Sequence, residues 1–280
     1  VIRVPWHVAW LVLVLAILAA LYLYANRSLY FPSKYPEGLW GVRAQLGASD
    51  VWLKSGSGVS IHGWEIRRQG SRIVTLYLHG NAGNVTHRSL HAREIGAAGS
   101  SIVIIDYRGY GKSEGTPTEA GLYADAQAAY EYLLSLGYRP GQIIVHGESL
   151  GTAVAVNLAS RRHCRALILE AAFSSAQEVA GTVLPVLSPL LIWSYDSKSR
   201  IGQVSAPVLF IHGDRDEIIP LRLGQALFAA APKPKQFWVV PGAGHNDIVE
   251  SAGLAYRQRL QSFYDSLESP NGGVPGASPR

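Results

Sequence analysis

Along the chain the apolar positions change period three times, and each change predicts a different kind of element. Val8 to Ala25 is a run with no charged residue. Its 18 residues would make a helix about 27 Å long at 1.5 Å per residue, close to the hydrocarbon thickness of a bilayer. We read it as a transmembrane anchor rather than a cleaved signal peptide. Leu23-Tyr24-Ala25 lacks the small first residue of an Ala-x-Ala-like cleavage site, and Tyr22, Tyr24 and Tyr30 sit where interfacial aromatics would. Arg3 on one side and Arg27 with Lys34 on the other nearly balance, so charge does not set the orientation.

Beyond a connector rich in turn residues, short apolar runs alternate with helical patterns. Val51 to Lys54 and Val59 to Arg67, split by Ser55-Gly56-Ser57-Gly58, predict an antiparallel hairpin at a sheet edge. Ile73 to Leu78, Ser101 to Asp106, Ile143 to His146, Ala166 to Leu169, Pro207 to Ile211 and Gln236 to Val240 read as buried, mostly parallel strands. Thr86 to Ala98, Glu119 to Leu136 and Asp247 to Leu267 read as the helices between and after them, the second with Leu122, Ala126, Ala129, Tyr130 and Leu133 on one face. This alternation predicts one α/β domain, a doubly wound and mostly parallel sheet with its site at the carboxyl ends of the strands.

The alternation breaks between Glu170 and Ala206, which predicts a short helical cap over about 171–206. Its Val183, Leu184, Val186, Leu187, Leu190, Leu191, Ile192 and Trp193 are candidates for an acyl pocket, for contact with a bilayer, or for plain packing. The domain plan is therefore an anchor over 1–28, a catalytic domain over 29–268 and a Pro/Gly/Ser tail over 269–280 without a packed core.

Composition changes this picture little. The formal net charge of +5, from 25 Lys and Arg against 20 Asp and Glu, gathers into no basic stripe, so nucleic acid is not an expected partner. A single Cys164 excludes an internal disulfide. Its neighbours Arg161, Arg162 and Arg165 are of the kind that lower a thiol pKa, yet no base is paired with it in sequence.

The chemistry lies in Gly147-Glu148-Ser149-Leu150-Gly151, a Gly-x-Ser-x-Gly between an apolar strand and a helical run. A nucleophile on such a turn holds a strained backbone, and only residues without Cβ let strand and helix approach that closely. Ser149 is the candidate nucleophile. A triad in the order Ser, acid, His needs the last two on loops after strands, and the chain supplies both. His212 to Pro220 follows one strand and holds Asp214 and Asp216; Pro241-Gly242-Ala243-Gly244-His245 follows the next. His245 is the candidate base over His79, His146 and His212, because of its chain order and glycine-flanked loop. Upstream, His79-Gly80-Asn81-Ala82-Gly83-Asn84 leaves a strand as an oxyanion loop would, so we assign the two donors to the N–H groups of Leu150 and Asn81.

Taken together, His79 to Asn84, Asp106 to Ser113, Gly147 to Gly151, His212 to Pro220 and Gly244-His245 resemble the α/β-hydrolase-domain serine hydrolases, in particular their small, N-terminally membrane-anchored branch. The resemblance covers roughly residues 29–267. It implies Asp216 rather than Asp214 or Asp247 as the acid, and a catalytic domain on the extracytoplasmic side of a single-pass membrane protein. It does not identify a substrate, since members of the fold cleave several kinds of bond.

Rival constellations fail on single residues. Gly-Lys-Ser at 111–113 mimics a phosphate loop, but Asp106 stands where its first glycine belongs. His87 and His91 have metal-ligand spacing, but Arg88 replaces the glutamate a zinc protease needs, which leaves a solvated helix face. The expectation is a membrane-anchored serine hydrolase that cleaves acyl esters or thioesters, of lipid-like or small acyl substrates, through an acyl-enzyme, with no cofactor and no metal. A serine peptidase of the same fold and a non-catalytic membrane-tethered binding module are the alternatives.

Overall fold

A computed structural model describes residues 5–27, 29–56, 58–186, 188, 192 and 194–268. The strands are β1 (Phe31–Pro32), β2 (Ser49–Ser55), β3 (Val59–Ile66), β4 (Val74–Leu78), β5 (Ala82–Gly83), β6 (Ser101–Ile105), β7 (Ile143–Glu148), β8 (Ala166–Glu170), β9 (Val208–Gly213) and β10 (Lys235–Val240). Eight of them form one sheet in the order β10-β9-β8-β7-β4-β6-β3-β2. The β2–β3 hairpin lies at its edge, and β3 joins β6 antiparallel; every other pairing in the sheet is parallel.

The inner strands are buried along their whole length because both faces are covered. Alternate residues feed two separate cores, as a period of two requires. Leu76, Val103, Val145, Leu167 and Phe210 pack under the helices Glu119–Ser135, Leu150–Ala159 and Leu221–Ala230. Tyr77, Ile104, Ile144, Ile168 and Leu209 face the helices Ser89–Ala97 and Leu254–Ser266 on the other side. The strand order reverses at β4, which has β6 on one side and β7 on the other. Loops leaving neighbouring strands there part to opposite faces, and a crevice opens above the carboxyl ends of β4 and β7.

Several expectations change. The helix foreseen over Asp247 to Leu267 is two helices, Ile248–Ala252 and Leu254–Ser266, because Gly253 adopts φ 54° and ψ −131°, which helical continuation forbids. Thr86 to Ala98 begins as a 3-10 turn, Val85–Arg88, before the helix Ser89–Ala97. The transmembrane anchor is not supported: Trp6–Arg27 is a continuous helix, but among the described residues no helix is long and apolar enough to cross a membrane. Tyr30, expected at a membrane interface, instead packs on the core, and its hydroxyl meets that of Tyr195 at 2.7 Å.

In the segment between β8 and β9, Ala176–Gly181 is a short helix capped by the Ser175 hydroxyl, which accepts from the Glu178 N–H. Val183, Leu184 and Val186 are exposed, whereas Ile192 is buried in the core. Leu187, Leu190, Leu191, Trp193 and the tail 269–280 lie outside the described residues.

Candidate functional site

Ser149 stands between the end of β7 and the first turn of Leu150–Ala159, with φ 50° and ψ −118°. A residue with Cβ rarely adopts this conformation, so the surroundings must enforce it. Two features do so. The Ser149 N–H donates to the Glu170 carbonyl at the end of β8, at 2.8 Å. A Cβ at Gly147 would overlap the Gly151 carbonyl, and one at Gly151 would fall on the Leu78 carbonyl at the end of β4. The two glycines thus let strand, turn and helix stack at backbone contact.

His245 comes from the loop after β10. Its Nε2 lies 3.0 Å from Ser149 Oγ and its Nδ1 2.8 Å from Asp216 Oδ2. Asp216, from the loop after β9, uses Oδ1 to accept the Ile218 and Ile219 N–H groups at 3.0 and 2.7 Å. Burial alone would raise this carboxyl. The histidines His212 and His245 and the Ile219 N–H outweigh burial and hold it well below the usual carboxylate range, so it stays charged beside the imidazole. Asp214 turns away: its Oδ1 accepts the Gly242 N–H at 2.7 Å and ties the two loops together. Asp247 accepts from Gly244 N–H at 2.7 Å and shapes the histidine loop.

The structure therefore brings Ser149, His245 and Asp216 into one chain of contacts and leaves the rival residues in other roles. His212 Nε2 lies 2.9 Å from the Ile219 carbonyl and 3.4 Å from Asp216 Oδ2, bracing the acid from behind. His79 Nδ1 donates to the Gly80 carbonyl at 2.7 Å. Burial, more than any charge nearby, lowers the pKa of both His79 and His146.

Leu150 opens its helix, so its N–H is among the first-turn donors that no helical carbonyl can satisfy. Asn81 lies in the loop after β4. Both line a cavity of about 380 Å³ together with Ser149 and His245. One wall is apolar: Leu29, Phe31, Phe173, Ala176, Val179, Ala180, Ile218 and Ile219. The segment between β8 and β9 thus contributes through its first helix, with Tyr195 at its far end, and not through Val183, Leu184 or Val186.

Beneath the turn lies a charged layer that periodicity could not reveal. Glu148 and Glu170 are register partners on β7 and β8. Glu148 Oε2 accepts from Arg88 Nε at 2.6 Å and from the Tyr77 hydroxyl at 2.8 Å. Burial opposes its charge, but Arg88 first and His91 second pull its pKa down to about 2. Glu170 accepts from Tyr256 at 2.7 Å and contacts His91 Nε2 at 2.9 Å. Burial alone would lower the His91 imidazole, yet Glu170 raises it. His91 is accordingly not on a solvated helix face as its spacing suggested; only His87 is exposed, and its Nδ1 accepts the Asn84 N–H. In the sequence only the four-residue spacing of His87 and His91 stands out, with Arg88 as the residue that replaces a zinc protease's glutamate. Cys164 is also reversed: burial pushes its thiol up to about 12, against the lowering its arginines suggested.

Comparison with known proteins agrees with this architecture. The family model described as serine aminopeptidase, S33 matches residues 69–200, a stretch that contains Ser149 and ends before Asp216 and His245. The uncharacterized protein Rv2307c of Mycobacterium tuberculosis is 42% identical over 227 residues, covering 79% of this chain and 80% of the relative. The α/β hydrolase domain-containing protein 17C of Xenopus tropicalis is 38% identical over 205 residues, 72% of this chain and 64% of that protein. An esterase from Pyrococcus furiosus has the same fold, with a TM-score of 0.70 at 19% identity over 85% of this chain and 97% of its own. With the strand order, the turn at Ser149 and these relatives in agreement, the chain belongs to the α/β-hydrolase family.

Proposed function

We propose that this protein is a serine hydrolase that cleaves acyl esters or thioesters through an acyl-enzyme. The observation that carries the reading is the contact chain Ser149 Oγ, His245, Asp216, at 3.0 and 2.8 Å, on the floor of an apolar-walled cavity. Ser149 Oγ attacks the carbonyl carbon while its proton passes to His245 Nε2. Asp216 keeps the Nδ1–H tautomer and stabilises the imidazolium. The N–H groups of Leu150 and Asn81 hold the oxyanion. Collapse of the tetrahedral intermediate breaks the acyl–O or acyl–S bond, and His245 returns the proton to the leaving group. Water then attacks the acyl-enzyme with the same proton relay and releases the carboxylic acid and free Ser149.

An aminopeptidase, the activity in the family model's description, must bind a free ammonium group. Among the described lining residues the one carboxylate besides the proposed machinery is Glu148, and Arg88 already neutralises it at 2.6 Å. The apolar wall fits an acyl chain instead, and a fluorophosphonate probe tests the reading. The parent is expected to label, and Ser149→Ala and His245→Ala are expected to lose labelling. A folded parent that does not label refutes the hydrolase reading and favours a binding module.

The same proposal holds the enzyme at a membrane through Trp6–Arg27, with the catalytic domain extracytoplasmic. It rests on the uncharged stretch from Val8 to Ala25 and on the exposure of Trp10, Leu11, Val12 and Leu15 along that helix. Retention in the pellet after alkaline carbonate extraction is expected. Release into the supernatant removes the anchoring and leaves the chemistry intact.

A further inference from the structure

The chain between the N-terminal helix and the large sheet crosses the loop that carries Asn81. β1 pairs in parallel with β5, Phe31 opposite Ala82 and Pro32 opposite Gly83. The Ser33 N–H donates to the Gly83 carbonyl at 3.1 Å. Asn81 grips the same connector with its side chain: Nδ2 donates to the Leu29 carbonyl, and Oδ1 accepts the Phe31 N–H at 3.3 Å. The buried Tyr110 donates its hydroxyl to that Oδ1 at 2.9 Å. At the connector's other flank, Tyr30 meets Tyr195, which also lines the cavity.

These bonds use both acceptor sites of the Asn81 carboxamide and one of its two amide hydrogens. The side chain is therefore committed to the connector and to Tyr110, although it borders the cavity. An oxyanion donor contributes most when it needs no reorganisation as charge develops. A loop with Gly80 and Gly83 on either side has little stiffness of its own.

We propose that Asn81 is a positioning residue: its side chain splices residues 29–33 onto the oxyanion loop, so its own backbone N–H is held ready only while the connector is seated. The inference rests on the hydrolase reading above and extends it. The stretch that joins the N-terminal helix to the catalytic domain becomes part of the catalytic apparatus, and a pull on that helix feeds into the rate.

The test uses the 280-residue chain with Asn81→Ala, and with Tyr110→Phe, which removes a hydroxyl that bonds Oδ1 and also meets the Phe31 backbone on the connector. Asn81→Ala keeps the backbone donor, so its kcat for a p-nitrophenyl ester is expected to fall about tenfold to a hundredfold, short of the 10²–10³ that outright loss of a donor costs. KM is expected to stay within about twofold, since a ground-state carbonyl uses the donor far less than the oxyanion does. Tyr110→Phe is expected to show a smaller fall of the same kind, and it carries the comparison if Asn81→Ala does not fold. Hydrogen exchange supplies a readout that needs no turnover: amides at 29–33 and 79–84 are expected to exchange faster together in Asn81→Ala. Unchanged kcat, or a rise in KM alone, overturns the proposal, as does unchanged exchange in either stretch. A parent without esterase activity or labelling sinks the hydrolase reading, while the exchange result still decides whether Asn81 joins the two segments.

Discussion

Arg88→Met isolates what holds the layer beneath the nucleophile together. The methionine fills space but leaves the Glu148 carboxylate, whose side chain is 16% exposed, without its principal counter-charge. In the parent that carboxyl is depressed from 4.5 to about 2. At about 1.36 kcal/mol per pH unit, that depression corresponds to roughly 3 kcal/mol of stabilisation at neutral pH, shared among Arg88, His91 and Tyr77. Breaking a buried pair from one side costs a similar amount, about 3–5 kcal/mol. A folded-state pKa below the unfolded one stabilises above the unfolded value, and the contribution fades as pH falls from about 4.5 through about 2. Urea unfolding of parent and Arg88→Met is therefore expected to differ by about 2–3 kcal/mol at pH 7 and by clearly less near pH 4. Arg88→Met combined with Glu148→Gln is expected to recover most of the deficit, since no charge is then left unpaired. A deficit that is equal at both pH values, or that persists in the double variant, would refute the electrostatic account and assign Arg88 a packing role.

Two further outcomes follow from the site. Asp216→Asn keeps the shape of the acid but no longer favours the Nδ1–H tautomer of His245, so kcat is expected to fall by about 10⁴ with little change in KM; a loss below tenfold in steady-state assays would mean that another group orients the imidazole. Ala180→Phe places a ring against the apolar wall and is expected to cut kcat/KM for long acyl chains while sparing acetyl esters. Excluding three or four methylenes at roughly 0.8 kcal/mol each corresponds to about a hundredfold, and a uniform loss across a chain-length series would place the acyl group elsewhere.

The sheet was legible in the sequence wherever strands are buried on both faces, because runs such as Val74–Leu78 and Ser101–Ile105 have no other stable place. The residues of the contact chain were legible because turn chemistry marks them: two glycines around Ser149, and a glycine-flanked loop around His245. Other features depend on long-range partners that leave no local trace. Arg88 meets Glu148 across 60 positions, and His91 meets Glu170 across 79, so locally Arg88 showed only as a departure from a metal motif and His91 as part of a solvated helix face. The pairing of Phe31–Pro32 with Ala82–Gly83 was equally invisible, since a two-residue strand has no period. The break at Gly253 was available in principle, but an amphipathic pattern on both sides of a glycine reads as one helix unless the backbone angle is known.

Ser149, Asp216 and His245 each sit just past the end of a strand, β7, β9 and β10, whose mutual register is set by the sheet. The stretch that departs between β8 and β9 carries none of the three, yet supplies Phe173, Ala176, Val179, Ala180 and Tyr195 to the cavity. Under the proposed reading, the reacting groups and the larger share of the apolar wall thus come from separate passages of the chain, with Leu29, Phe31, Ile218 and Ile219 completing the wall. On that reading, changes within residues 171–206 retune which molecule is accepted, while Ser149, Asp216 and His245 keep the spacing that the sheet gives them.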